Sequence, residues 1–370
     1  MRAGADNFDM FELKKIMAYL HEKNTKGYLA LNVMVLEPQL VKAQQILHEA
    51  KAAGVDAVIF WDIAVATMAR ELGLPLHLST QAGIANATAL EYMASLGIKR
   101  AVLARECTLK DIRQIATTLK ERNIPCEIEA FVHGAMCVSV SGRCFLSAHA
   151  FGKSANQGEC SQPCRREFVI KDTKNEAEFI LGTNYLLSPK DLCAMDFIDQ
   201  LIESGIHSLK IEGRMRAVEY IKIVVSAYRT AIDAYFAGAL TQELKDSLKK
   251  QLAMVYNRGF STGFYFGQPV DWNTQDYQKS FEKIFLGEVV NFYGKVGVAE
   301  ILIRNEQLRE GDKILFTGKT TPATFAFAHE LQRDHVPVKE IKRGEPVGVK
   351  LSFKVRRNDQ VYLWREKKGA

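Results

Sequence analysis

The chain has 370 residues, 47% of them hydrophobic and 25% charged. That is an ordinary globular composition, and the length suits a barrel-sized domain with a smaller companion. No apolar run reaches the roughly eighteen residues a membrane-spanning helix needs. Residues 1–10 are polar and acidic, unlike a secretory signal, so a cytoplasmic protein is expected. The formal net charge of +6 is concentrated at one end: residues 337–370 hold ten Lys or Arg against four Asp or Glu. A basic, aromatic-containing stretch on a balanced body suits a nucleic-acid-binding appendage, and equally a solvated strand face.

In chain order, a helix is expected over 9–22 and a strand over 27–33. A cassette then recurs of amphipathic helix, glycine stop and short apolar strand. Its first copy sets Leu40, Ala43, Ile46, Leu47 and Ala50 on one helix face before Gly54 and the strand 57–60. A helix over 63–72 and a strand over 76–81 follow. The second copy has Leu90, Met93 and Leu96 before Gly97 and the strand 101–103. A helix over 109–122 and a strand over 127–132 come next. The third copy has Phe197, Ile198, Leu201 and Ile202 before Gly205 and the strand 208–211, with a long helix over 217–237. Such repetition predicts an α/β fold, a TIM-like (β/α) barrel over 1–256. No G-x-G-x-x-G follows a strand to suggest a dinucleotide fold.

After Asn257 the texture changes. Residues 257–286 read as a turn-rich linker. Alternating strands are then expected at 287–290, 296–303, 313–316, 347–353 and 360–363, a small antiparallel β-barrel domain over 287–370.

Seven cysteines, at 107, 126, 137, 144, 160, 164 and 193, without a signal peptide argue against a disulfide framework. Cys107 and Cys126 read as packing residues. The others fall in a cysteine-rich insertion over about 133–193 that leaves the carboxyl end of the 127–132 strand, where barrel active sites are built. The C-x6-C-x15-C-x3-C spacing of Cys137, Cys144, Cys160 and Cys164, with Cys193 further on, suits converging thiolates on a metal or an iron–sulfur cluster. It also suits separate buried thiols.

His133 reads either as an acid–base group at the barrel mouth or as a buried structural histidine, and Glu129, four residues earlier, as its carboxylate partner or as half of a salt bridge. Strand alternation puts Ser208, Lys210 and Glu212 on one face, pointing inward, so an ion pair or an anionic substrate is expected there. Gly213 and Arg214 open the next helix, where a guanidinium and backbone N–H groups suit a carboxylate or phosphate.

The dense segment from Glu129 to Ser147, E-x-F-x-x-G-A-M-C-x4-G-x-C-x-L-S, resembles the signature of the peptidase U32 family, the collagenase-like proteases. So do K-D-L-C at 190–193, S-L-K-I-E-G-R at 208–214 and N-R-G-F-S-x-G at 257–263. Length and the C-terminal β-domain are most similar to the branch that makes 5-hydroxyuridine at the tRNA wobble position with prephenate. That resemblance implies a (β/α) barrel, a tRNA substrate held at its anticodon arm, and prephenate as co-substrate. It also implies a [4Fe–4S] cluster. Its ligands map best onto Cys137, Cys144, Cys160 and Cys193, with Cys164 at a position some relatives use. Glu129, His133 and Glu212 are then the candidate catalytic groups, and Arg143, Lys210 and Arg214 the candidate substrate holders. The alternative is a peptidase with Cys137 and His133 as nucleophile and base. Relatives of this family usually carry a strand and helix before the R-A-G-A-D-N-F found at 2–8, so a first βα unit is expected to be missing or the gene start misplaced.

Overall fold

The computed structural model describes residues 8–166, 169–171, 178–180, 184–267, 273–275 and 281–366. The chain divides into two compact units. The first comprises 1–215, 230–246 and 257–277, and the second 216–229, 247–256 and 278–370.

In the first unit the cassettes form as their sequences dictate. Helix α1 (Leu13–Glu22) precedes strand β1 (Tyr28–Ala30). Helix α2 (Leu40–Ala52) buries Ala43, Leu47 and Ala50, and leads to β2 (Ala57–Phe60). Helix α3 (Ile63–Glu71) starts where the Asp62 carboxylate accepts from the Ala64 N–H, which satisfies one of the unpaired amides of a helix start. It packs on β2 and on β3 (Leu76–Leu78). Helix α4 (Ala87–Ser95), capped by Asn86, leads to β4 (Arg100–Val102). Helix α5 (Leu109–Glu121) has a reciprocal Thr108–Asp111 capping box and buries Leu109, Ile112, Ile115 and Leu119. It delivers the chain to β5 (Glu127–Gly134), seven of whose eight residues are buried.

Strands β1 to β5 pair in parallel in sequence order, and the Ser208–Glu212 strand pairs in parallel with β5 from the other side. The carboxyl end of β5 has a second neighbour that the sequence did not announce. The Asp191–Cys193 strand runs antiparallel to it, with His133 opposite Cys193 and Gly134 opposite Leu192, and itself pairs in parallel with Phe260–Ser261. The result is an eight-stranded, mainly parallel sheet. Among the described residues β1 pairs only with β2, and no ladder joins it to the Ser208–Glu212 strand. The fold is therefore α/β with a parallel sheet, without the closing ladder that a complete (β/α) barrel requires.

The second unit holds an antiparallel sheet of eight strands. Phe281–Tyr293 lies at its centre, between Val298–Ile303 and Gln360–Glu366. Lys313–Thr317 and Thr324–Phe327 continue one side, and Pro346–Lys350 the other. Alternation is strict in Val298–Ile303, where every second residue is buried. Leu286, Val289, Ile301, Ile314, Phe316, Val347 and Val361 meet in its core. Phe281–Tyr293 starts within the segment expected to be a linker, because 281–286 carries no turn residue. No pairing closes this sheet into a barrel among the described residues.

Two helices belong partly to each unit, α8 (Val218–Phe236) and α9 (Gln242–Ala253), counting Leu146–Phe151 as α6 and Ile198–Glu203 as α7. The sequence did not announce α9. Its apolar residues, Leu244, Leu248 and Leu252, form a single row four residues apart in an otherwise polar segment.

Ile301 is fully buried and Phe327 is 54% exposed. Ile301→Ala should lower the unfolding free energy of the second unit by about 2–5 kcal/mol, whereas Phe327→Ala should change it by no more than about 0.5 kcal/mol. Urea titration of the purified variants measures both.

Candidate functional site

The site is organised around β5. Early in that strand the Glu129 carboxylate, 6% exposed, accepts from Lys210 Nζ at 2.5 Å, Ser208 Oγ at 2.8 Å and Arg100 Nη1 at 3.4 Å. Arg100 also clasps the Glu127 carboxylate through Nε at 2.8 Å and Nη2 at 2.5 Å. Burial works to raise the Glu129 pKa, but Lys210, Ser208 and Arg100 outweigh it and hold the group below the ordinary carboxylate range. Glu129 is thus the fixed anion between two cations. Lys210, expected to hold substrate, is occupied by it.

His77 on β3 lies against this network and was not singled out in the sequence. It is 7% exposed, stacks edge-on to Tyr28 with centroids 4.7 Å apart, and is held neutral. Burial, reinforced by Arg100, pulls its pKa from 6.5 to about 4.

At the carboxyl end of β5, His133 is only 1% exposed and packs against Phe260 at 5.6 Å. Gly134 follows with φ +107, and a Cβ there would stand 2.4 Å from the Glu212 carbonyl oxygen. Only glycine permits that approach. The backbone of the Cys137 loop therefore leaves the sheet pressed against Glu212, whose own carboxylate accepts from the Arg214 N–H at 3.0 Å. The Arg214 side chain has no partner among the described residues.

None of the seven cysteines forms a disulfide. Cys137, Cys144, Cys160 and Cys164 are partly exposed, and Cys193 is buried in its strand opposite His133. Burial raises the Cys164 pKa; Arg165 opposes this, and the charges of Cys137, Cys160 and Cys144 add to the rise. Three thiols of the same excursion are thus near enough to act on Cys164, which the resemblance gave as an alternative to Cys193. Among the described residues no three His, Cys, Asp or Glu side chains are set to hold a single metal ion.

The loops are pinned by groups of the same signature. The Cys144 N–H donates to Asn156 Oδ1 at 3.1 Å, and Cys144 Sγ accepts from the Leu146 N–H at 3.3 Å. Ser147 Oγ accepts from the Ser161 N–H at 3.0 Å and lies 4.0 Å from Cys160 Sγ. Arg143 sits over the Trp61 ring at 5.3 Å and donates to the Gln81 carbonyl at 3.4 Å.

Two further residues escaped the sequence reading. Arg165 donates to Ser188 and to the backbone on both sides of the insertion, and Arg258 forms a buried 2.5 Å ion pair with Asp191. The signal was there in outline: Arg165 follows Cys164, and Arg258 lies in the N-R-G-F-S-x-G motif. Cys107 and Cys126 are the packing residues expected, with burial raising both pKa values to about 11.

Residues 1–275 match the family model of peptidase family U32. The chain belongs to this family. It is 42% identical over 373 residues to a Methanocaldococcus jannaschii protein named an uncharacterized protease, covering 99% of this chain and 91% of that one. A Porphyromonas gingivalis protein named collagenase is 36% identical, covering 98% and 89%. A Bacillus subtilis protein named tRNA hydroxylation protein P1 is 32% identical, covering 90% and 78%. This U32 chain therefore has relatives named for two different chemistries.

His77 gives the site a signature in solution. Its folded pKa lies below its unfolded one, so between about pH 6.5 and pH 4 the unfolded chain binds a proton that the folded chain refuses. Stability should fall as pH drops through that window. His77→Gln should flatten the fall in urea titrations run at pH 5 and pH 7.5.

Proposed function

We propose that this U32 chain is an RNA-modifying enzyme that hydroxylates C5 of the tRNA wobble uridine, with a [4Fe–4S] cluster on Cys137, Cys144, Cys160 and Cys164 and prephenate as co-substrate. The observation that carries the reading is that Cys137, Cys144 and Cys160, on the excursion that follows β5, lie near enough to Cys164 to act on it electrostatically. An isolated nucleophile has no use for four neighbouring sulfurs. A four-iron cluster takes one thiolate per iron and draws its ligands from wider apart than a single zinc ion, whose sulfurs lie about 2.3 Å from the metal. Cys164 is taken as the fourth ligand, with Cys193, the ligand the resemblance implies, as the alternative. The parallel sheet is the wall of a (β/α) barrel and the thiols stand at its rim; the second unit is a small β-barrel.

When bound, the cluster supplies one-electron redox chemistry. The rest falls to the chain's own side chains. Arg214, without a protein partner among the described residues, and Arg143, fixed against Trp61 and Gln81, offer cationic donors for the carboxylates of the co-substrate. Lys210 and Glu129 neutralise one another and hold the sheet in register. Glu212 orients Arg214 through its backbone N–H. The base must leave its stack to reach this rim, and the basic 337–370 stretch of the second unit grips the phosphates of the anticodon arm. A tRNA substrate places the reaction in the cytoplasm.

The peptidase reading draws on the names of two relatives. It needs a histidine able to meet Cys137 and a peptide together, and His133 is 1% exposed.

Anaerobic purification with iron and sulfide analysis tests the proposal. About four irons per chain are expected, lost in Cys164→Ala and kept in Cys193→Ala. Nucleoside mass spectrometry of tRNA from a strain lacking the gene should show the 5-hydroxyuridine derivatives depleted, and restored by the wild-type gene. An iron-free chain that cleaves gelatin overturns the reading.

A further inference from the structure

The Arg165 guanidinium lies inside the cysteine insertion, yet every group it bonds is uncharged. Nη1 donates to Ser188 Oγ at 2.7 Å and to the Pro189 carbonyl at 3.2 Å, and Nη2 donates to the Met136 carbonyl at 2.5 Å. The acidic groups near enough to act on it, when ionised, are Cys164, Asp191 and Cys137. Asp191 is already committed, because Arg258 holds it in a 2.5 Å ion pair in which both side chains are buried. Two cations therefore share one carboxylate. A partly buried cation left without a counter-charge is costly, and the groups able to balance Arg165 are the thiols once they are ionised as ligands.

The same three bonds have a mechanical side. Met136 immediately precedes Cys137, and Arg165 immediately follows Cys164. A single guanidinium thus ties the loop bearing one thiol to the turn bearing another, and both to the Ser188–Pro189 segment. Such a tie needs the planar fork of arginine. A lysine ammonium carries the charge but cannot span the same acceptors in fixed directions.

We propose that Arg165 is the built-in counter-cation and positioning residue of the four-thiol group, neutralising part of its negative charge and fixing the Cys137 loop against the Cys164 turn. The inference rests on the reading of these thiols as cluster ligands. A thiolate-ligated cluster is a net anion that becomes more negative on reduction, so a nearby fixed cation favours the reduced form and raises the potential.

Full-length wild type, Arg165→Gln and Arg165→Lys are to be compared in two ways. The first is spectroelectrochemical titration of the anaerobically loaded proteins. Arg165→Gln should have a lower midpoint potential than wild type, and Arg165→Lys one close to it. The second is hydrogen exchange of the metal-free proteins. Amides just after Met136 should exchange roughly tenfold faster in both variants, since neither keeps the fork. Equal potentials in wild type and Arg165→Gln, with iron bound in both, overturn the counter-charge. Unchanged exchange overturns the tie. A wild-type chain that takes up no iron defeats the cluster reading and the charge role with it, while exchange still decides the tie.

Discussion

A single buried carboxylate holds the polar side of the parallel sheet together. Glu129 accepts from Lys210, Ser208 and Arg100, so strands that are distant in sequence are joined by charge as well as by backbone ladders. Among the described residues Lys210 has no other carboxylate partner, whereas Arg100 is also held by Glu127; leaving a buried charge uncompensated costs about 3–5 kcal/mol. The chemistry near β5 follows from this constraint. With Lys210 satisfied by protein, an anionic ligand must look to the arginines at the rim.

The far end of β5 obeys a different constraint. There the chain turns from regular strand to a loop of thiols, and the turn depends on backbone proximity. Gly134 lies so close to the Glu212 carbonyl that no side chain fits between them. The departure of the cysteine loop and the segment leading to Arg214 are thereby fixed relative to each other. Ser147, Asn156 and Arg165 then shape the loops from within, through bonds to backbone and to sulfur. Polar residues of the signature that look like spacers between cysteines are what set the directions in which the cysteines point.

Much of the first unit was legible in the sequence. Helix faces at Leu40–Ala50 and Leu90–Leu96, followed by glycine and a β-branched run, admit little but a βα repeat. What escaped was of two kinds. Short or weakly patterned elements carry too little signal: Asp191–Cys193 has three residues, and α9 has a single apolar row among lysines and glutamines. Long-range relations leave no local trace. Spacing does not show that Cys137, Cys144 and Cys160 come near enough to Cys164 to act on it. Arg165 and Arg258 have ordinary neighbours in sequence, and their partners lie 23 or more residues away. His77 looks like an interruption in an apolar strand until Arg100 is set beside it.

The antiparallel pairing of β5 with Asp191–Cys193 brings the two ends of the cysteine-rich excursion together. Its first residue, Gly134, and Leu192 near its return are direct partners in one ladder, so their Cα atoms are about 4.5–5.5 Å apart. The excursion leaves and rejoins the sheet at one spot, like a cartridge clipped into a socket. Lineages can lengthen, shorten or rewire it without changing the span that the surrounding sheet must bridge. One scaffold can thus come to serve proteins whose names point to unlike reactions.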